Sequence, residues 1–293
     1  MIYADGVDAY VDHQLPAAVM KIVLGHELAR QRKHAGMTQD ESAKVLGCTQ
    51  QKIAFIETGT SGVKMLELTG LLNAYSVQDA DRAYAEDLAV EANRRARKGA
   101  FSTRFRQYIR LFVDMEPTCR RFWSSQSMVV PGLLQTEDYM RTVFRAWRPS
   151  PSQEQIDQDV TDRLARQRVL DNAEQQFWFI LDEAALRRTT GSLAIMKAQI
   201  SRLVETLDRP NVELQVVPFG VGYYMGQAHD YTIFGYDTNP PVDVVYREHY
   251  DGGDYVGDLE RTATYVTLWE QQKAAAMGPE QTRRFLVDLA ASL

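Results

Sequence analysis

Thr38-Gln39-Asp40-Glu41-Ser42-Ala43-Lys44-Val45-Leu46-Gly47-Cys48-Thr49-Gln50-Gln51-Lys52-Ile53-Ala54-Phe55-Ile56-Glu57-Thr58-Gly59 decides how the first part of this chain folds. It holds two short apolar-periodic runs, each opened by a threonine and each stopped by a glycine. Thr38 followed by Glu41 has the spacing of a capping box, in which each side chain satisfies the backbone N–H of the other. The helix so opened carries Ala43, Val45 and Leu46 and stops at Gly47. Thr49 caps the next helix, whose inner face is Ile53 and Ile56 and whose stop is Gly59. Short helices joined through a glycine-containing turn predict a helix-turn-helix unit.

Upstream, Ile22, Leu24, Leu28 and Ala35 recur at helical spacing before Gly36. Downstream, Met65, Leu66, Leu68, Leu71 and Leu72 follow Ser61-Gly62 as a further helix. Residues 1–20 are acidic, contain Pro16 and read as a leader. Residues 77–115 read as continuously helical, with the basic run Arg94-Arg95-Ala96-Arg97-Lys98 in the middle and Gly99 as the joint. The plan is a leader (1–20), a helix-turn-helix domain (21–77), a helical linker (78–115) and an α+β regulatory and dimerisation domain (116–293). The expected fold is mainly α with an α+β C-terminal domain, an N-terminal helical bundle followed by mixed helix and sheet.

In the second half, Val129-Val130-Pro131-Gly132-Leu133-Leu134 reads as an extended piece leading to a helix capped by Thr136. Helices are expected over 153–170, 192–207, 259–275 and 281–289, and strands over 177–181, 212–217, 231–234 and 242–246. Asp182-Glu183 after a buried strand starts a helix most simply, its carboxylates favoured at that end. Arg163, Arg166 and Arg168 share one helix and read as a solvated or salt-bridged face.

At 293 residues, with 45% hydrophobic and 25% charged side chains, the chain has the make-up of an ordinary two-domain globular protein. No apolar run is long enough for a membrane helix, and Met1-Ile2-Tyr3-Ala4-Asp5 has no signal-peptide pattern, so a cytoplasmic location and no membrane partner are expected. Cys48 and Cys119 stand far apart, and His13, His26, His34, His229 and His249 lack metal-ligand spacing, so no metal site is expected. No nucleophile elbow, phosphate loop or zinc-hydrolase signature appears; no catalytic residue and no cofactor are expected. The net charge of −6 disfavours a nucleic-acid partner, but charge acts locally. Between residues 21 and 64 Lys21, Arg30, Arg32, Lys33, Lys44, Lys52 and Lys64 outnumber Glu27, Asp40, Glu41 and Glu57.

Taken together, Leu28-x-x-x-Arg32, Thr38-Gln39-x-Glu41-x-Ala43-x-x-Leu46-Gly47 and Thr49-Gln50-Gln51-x-Ile53-x-x-Ile56-Glu57-x-Gly59 resemble the phage-repressor (XRE) type of helix-turn-helix. The resemblance implies a dimeric regulator reading a double-stranded DNA operator. Thr49, Gln50, Gln51, Ala54 and Phe55 would face base edges, where a Gln amide can bond adenine bidentately. Thr38, Gln39, Lys44, Lys52, Thr60 and Ser61 would meet phosphates, which position the protein without specifying sequence. The loop Thr60-Ser61-Gly62 departs from such proteins in lacking their common Arg and Pro.

Further along, Val130-Pro131-Gly132-Leu133-Leu134-Gln135-Thr136-x-x-Tyr139, Arg163-x-x-Arg166-Gln167-x-x-Leu170, Leu181-Asp182-Glu183-Ala184-Ala185-Leu186-Arg187 and Val216-Val217-Pro218-Phe219 occur in order. They resemble the C-terminal domain typical of actinobacterial antitoxin-like transcriptional regulators, which implies control by a small partner protein. Tyr223, Tyr224 and Met225, in a glycine-spaced segment, are the expected ligand or partner surface. Two other readings stand beside this one: a regulator whose second half senses a small molecule, and an enzyme with a DNA-binding head.

Overall fold

Thr38 and Thr49 cap helices as their spacing demands, and the chain between them turns through Gly47 at φ 61°. The computed structural model describes residues 15–94, 101–148 and 150–293, with Phe101 described by its backbone alone. Residues 1–14 of the expected leader, with His13, lie outside them, as do Arg95, Ala96, Arg97, Lys98 and Gly99 of the basic run and joint.

The first elements are α1 (Ala17–His34), α2 (Gln39–Leu46), α3 (Gln50–Glu57), α4 (Met65–Ala74), α5 (Asp79–Ala92) and α6 (Gln107–Met115). Then come β1 (Arg121–Gln126), α7 (Glu137–Trp147), α8 (Gln153–Gln167), β2 (Gln176–Asp182), α9 (Glu183–Arg187), α10 (Leu193–Thr206) and β3 (Val212–Val217). The chain finishes with β4 (Tyr231–Tyr236), β5 (Val242–His249), β6 (Gly252–Val256), α11 (Leu259–Ala275) and α12 (Pro279–Ser292). A helical N-terminal region is thus followed by a domain of helices and a six-stranded sheet in the order β3-β2-β1-β4-β5-β6.

The chain divides into two compact units, Met1–Thr118 with Gly235–Thr264, and Cys119–Phe234 with Tyr265–Leu293. In the first, α1 is the hub. Ile22, Val23, Leu24, Gly25, His26, Glu27 and Leu28 are all buried in succession. A helix covered all round is an interior one, and α3, α4, α5 and β5 lie against it. Ile53 and Ile56 of α3, Leu68, Leu71 and Leu72 of α4, and Ala85, Leu88 and Ala89 of α5 complete that core. Gly25 sets the spacing of α1 and α3, because a methyl there would lie 2.4 Å from the Ile56 carbonyl oxygen.

In the second unit β1, β2 and β3 run parallel, joined by helical crossovers as parallel strands require. Phe122, paired in register with Phe177, meets Phe177, Phe179 and Phe234 on one face of the sheet. On the other face Trp123 lies beside Trp178 and stacks on Trp269 of α11 at 5.4 Å. Ser127, just past β1, donates from both N–H and hydroxyl to Asp230, just before β4 (2.8 and 2.6 Å).

Several expectations change here. The stretch 78–115 is not one continuous helix: α5 closes at Asn93 and α6 opens only at Gln107. Its first part does not behave as a spacer, since Ala85, Leu88, Ala89 and Ala92 turn inward and α5 lies along α1. Strands β1 and β6 went unforeseen; two thirds of β1 is polar and β6 starts with two glycines, and both owe their state to partners in the sheet. The Val129–Leu134 piece ends in a tight 3-10 turn at Gly132–Leu134. Thr136 precedes α7 without a side-chain cap, its N–H donating instead to Gln199 Oε1 at 2.7 Å.

Candidate nucleic-acid interface

The reading candidate is the start of α3. Thr49 Oγ1 accepts the N–H of Lys52 at 3.3 Å, which leaves the N–H groups of the first turn pointing off the helix end. Gln50 and Gln51 are both exposed there. Gln51 has no side-chain hydrogen bond among the described residues, whereas Gln50 donates from Nε2 to Gln39 Oε1.

That bond is the last link of a relay. Gln39 Nε2 donates to Glu57 Oε2 at 2.7 Å. Arg32 grips the same carboxylate with Nε at 2.5 Å and Nη2 at 3.0 Å, and its Nη1 donates to the Met37 carbonyl at 2.8 Å. Arg32 and Glu57 are 9% and 7% exposed, so each charge needs the other. The hydrogen bonds to Glu57 hold the Arg32 guanidinium above its ordinary pKa. A buried ion pair at the base of α3 thereby orients two amides, one at the start of α2 and one at the start of α3.

The other residues of the expected interface fare differently. Phe55 is 43% exposed and Ala54 half-buried, so the ring stands out beside the glutamines. Lys44 is exposed. The Thr38 hydroxyl is taken up by the capping box, donating to Glu41 Oε2 at 2.9 Å and accepting the Glu41 N–H at 3.2 Å. The Thr38 N–H also holds the Glu41 carboxyl below its usual range. Lys52 is paired with Glu67, which also accepts the Lys64 N–H at 3.0 Å. The contact raises the pKa of Lys52 and lowers that of Glu67. In the loop after α3, Thr60 Oγ1 lies 3.0 Å from Thr58 Oγ1, and the Ser61 N–H donates to the Phe55 carbonyl at 2.9 Å.

The expected surface at Tyr223, Tyr224 and Met225 splits in two. Tyr223 is 83% and Met225 59% exposed, while Tyr224 turns inward and donates to Asp182 Oδ2 at 3.0 Å. Burial drives the Tyr224 hydroxyl well above the usual tyrosine range. Asp182 Oδ1 accepts the Ala184 N–H at 2.8 Å and so caps α9, and Glu183 accepts from Arg187 Nε and the Phe219 N–H. Both carboxylates therefore have structural employment. A cavity of about 310 Å³ opens elsewhere, lined by Trp178, Pro210, Glu213, Pro279 and Arg283.

The Val130–Gln135 motif and the Arg163–Gln167 motif meet at the 3-10 turn. Gln135 Nε2 donates to the Val130 carbonyl, and Gln167 Nε2 to the carbonyls of Gly132 and Gln135. Arg163 Nη1 donates to Gln135 Oε1 at 2.6 Å, its guanidinium 4.3 Å from the centre of the Phe144 ring. Arg163 is half-buried and Arg166 buried, so of the three expected on a solvated or salt-bridged face only Arg168 is solvent-exposed. Gln199, which sequence reading passed over, closes the set by donating to the Leu134 carbonyl. These residues satisfy backbone groups of a buried turn.

Among the described residues no cluster of His, Cys, Asp and Glu could hold a metal ion, and no helix is long and apolar enough to cross a membrane. The profile of a helix-turn-helix domain matches residues 23–85. Comparison with curated proteins finds no match, and comparison with solved structures finds none. The profile described as Domain of unknown function (DUF5753) matches residues 109–288, more than half of the chain, and the protein belongs to that family, with a helix-turn-helix domain ahead of the shared region.

Proposed function

We propose that this chain is a sequence-specific, dimeric DNA-binding transcriptional regulator of the XRE type, acting in the cytoplasm through α3 in the major groove of its operator. The observation that carries the reading is the relay from buried Arg32 and Glu57 through Gln39 to Gln50 on an exposed helix start. Packing has no use for two amides at that tip, whereas base edges do. The unpaired N–H groups at the helix start favour phosphate. Phe55 suits a thymine methyl, Lys44 a phosphate. Lys52 would reach one only by leaving Glu67. Paired half-sites about 34 Å apart then call for two copies of the chain.

In this reading the C-terminal domain takes its signal from a small, antitoxin-system-like partner protein. The exposed side chains Phe219, Tyr223 and Met225, on a segment anchored through Tyr224 and Glu183, support that role. The chain is read as a regulator and not as an enzyme, because Asp182 and Glu183 are engaged in capping and bracing.

The test is selection of duplexes from a random pool by the full-length chain. Selected sequences should carry two copies of one half-site about one helical turn apart. Gln50→Ala with Gln51→Ala should lose the preference for them, by roughly 1–3 kcal/mol per lost bidentate pair, and keep salt-sensitive binding to any duplex. Unaltered preference in that variant refutes the assignment.

A further inference from the structure

Lys21 and Ile22 are neighbours on α1, outside and at the edge of the matched helix-turn-helix residues, and both bear on the loop that closes α3. Gly59 ends α3 at φ +71°, and a methyl there would lie 2.6 Å from Ile22 Cα, so α1 is the floor of the loop. Three residues on, a methyl at Gly62 would sit 3.7 Å from both Lys21 Cε and Asn93 Oδ1. Asn93 Nδ2 in turn donates to the carbonyls of Val63 (3.3 Å) and Ala89 (2.8 Å). The stem of Lys21 therefore lies against a braced loop. Lys21 is half-buried, and its ammonium group has no ion pair among the described residues.

The loop Thr58-Gly59-Thr60-Ser61-Gly62 contains no cation of its own, and Lys52 is held by Glu67. Helix α3 has 8 residues, which at 1.5 Å each is about 12 Å. The major groove is about 12 Å wide. A helix entering it by its first turn thus leaves its closing loop near the opposite phosphate wall. We propose that Lys21, its stem laid against Gly62, is a DNA-phosphate contact that supplies from α1 the charge the loop lacks. The proposal rests on the DNA-binding reading above.

The test uses the full-length chain and a labelled mixed-sequence duplex of about 30 base pairs, roughly three helical turns, titrated across a range of salt concentrations. Lys21→Gln should lower the slope of log K against log salt by about 0.9 for each protomer bound, weakening all sequences alike. Lys21→Arg should return the slope to the wild-type value, and Lys197→Gln on α10 should leave it unchanged. If Lys21→Gln lowers the melting temperature, Lys21→Met, which keeps the stem on Gly62, takes its place. A wild-type slope in the well-folded variant overturns the contact alone. A wild-type chain with no salt-dependent DNA binding overturns the regulator reading together with it.

Discussion

Arg32 and Glu57 are 25 positions apart, yet two hydrogen bonds join them in the interior and a third passes to Gln39. Removing one member of a buried ion pair strands the other charge, at a cost of about 3–5 kcal/mol. Glu57→Ala is expected to lose that much in urea unfolding. Arg32→Met with Glu57→Leu, which removes both charges, should lose far less. The single variant also frees the Gln39 amide, so discrimination between DNA sequences should fall further than stability explains. Both residues stood in the motif legible from the sequence. Their pairing did not, because no local pattern links positions 25 apart. The same limit applies to Tyr224, whose neighbours Tyr223 and Met225 are exposed while it turns in to Asp182.

Helix ends were largely legible, since caps and stops are local chemistry: Thr38, Thr49 and Ser192 each accept the N–H three residues on, and Gly47 and Gly59 take positive φ. Close approaches between elements were not. Gly25 looks like a flaw in the middle of α1, where alanine would favour the helix by up to about 1 kcal/mol. Because a methyl there would meet the Ile56 and Glu57 carbonyl oxygens at 2.4 and 2.6 Å, Gly25→Ala should instead destabilise by about 1–3 kcal/mol. Thermal melting checks the sign; a stabilised variant would mean that α1 and α3 do not touch there. β1 and β6 escaped notice for the complementary reason: their own residues argue weakly for strand, and the neighbouring strands decide.

On the scale of the molecule, the first unit joins residues distant in the chain. His26 Nε2 lies 2.6 Å from the Gly257 carbonyl oxygen, 231 positions away, and the Ile22 side chain lies against the same glycine. Tyr84 donates to the Asn239 carbonyl at 3.0 Å. Burial lowers the His26 pKa below 6.5, against the raising effects of the Gly257 carbonyl and the Asp258 charge. As pH falls below 6.5, the unfolded chain takes up a proton that the folded chain refuses, so stability drops until the folded value is passed. The loss approaches about 1.4 kcal/mol per pH unit. His26→Gln, which keeps a donor for Gly257 and does not titrate, should flatten this dependence in urea titrations between about pH 7.5 and 5.5; an unflattened curve would assign it to other groups. What the sequence by itself determined were the helix starts and stops, the helix-turn-helix spacing and the change to mixed helix and sheet in the second half of the chain, because each follows from contacts a few residues long. Tertiary structure alone decided that α1 is the hub, that Glu57 orients Gln50, and that residues 235–264 join the helix-turn-helix in one compact unit. Those outcomes depend on which buried polar groups find partners across the fold, and such partners carry no signature in local spacing.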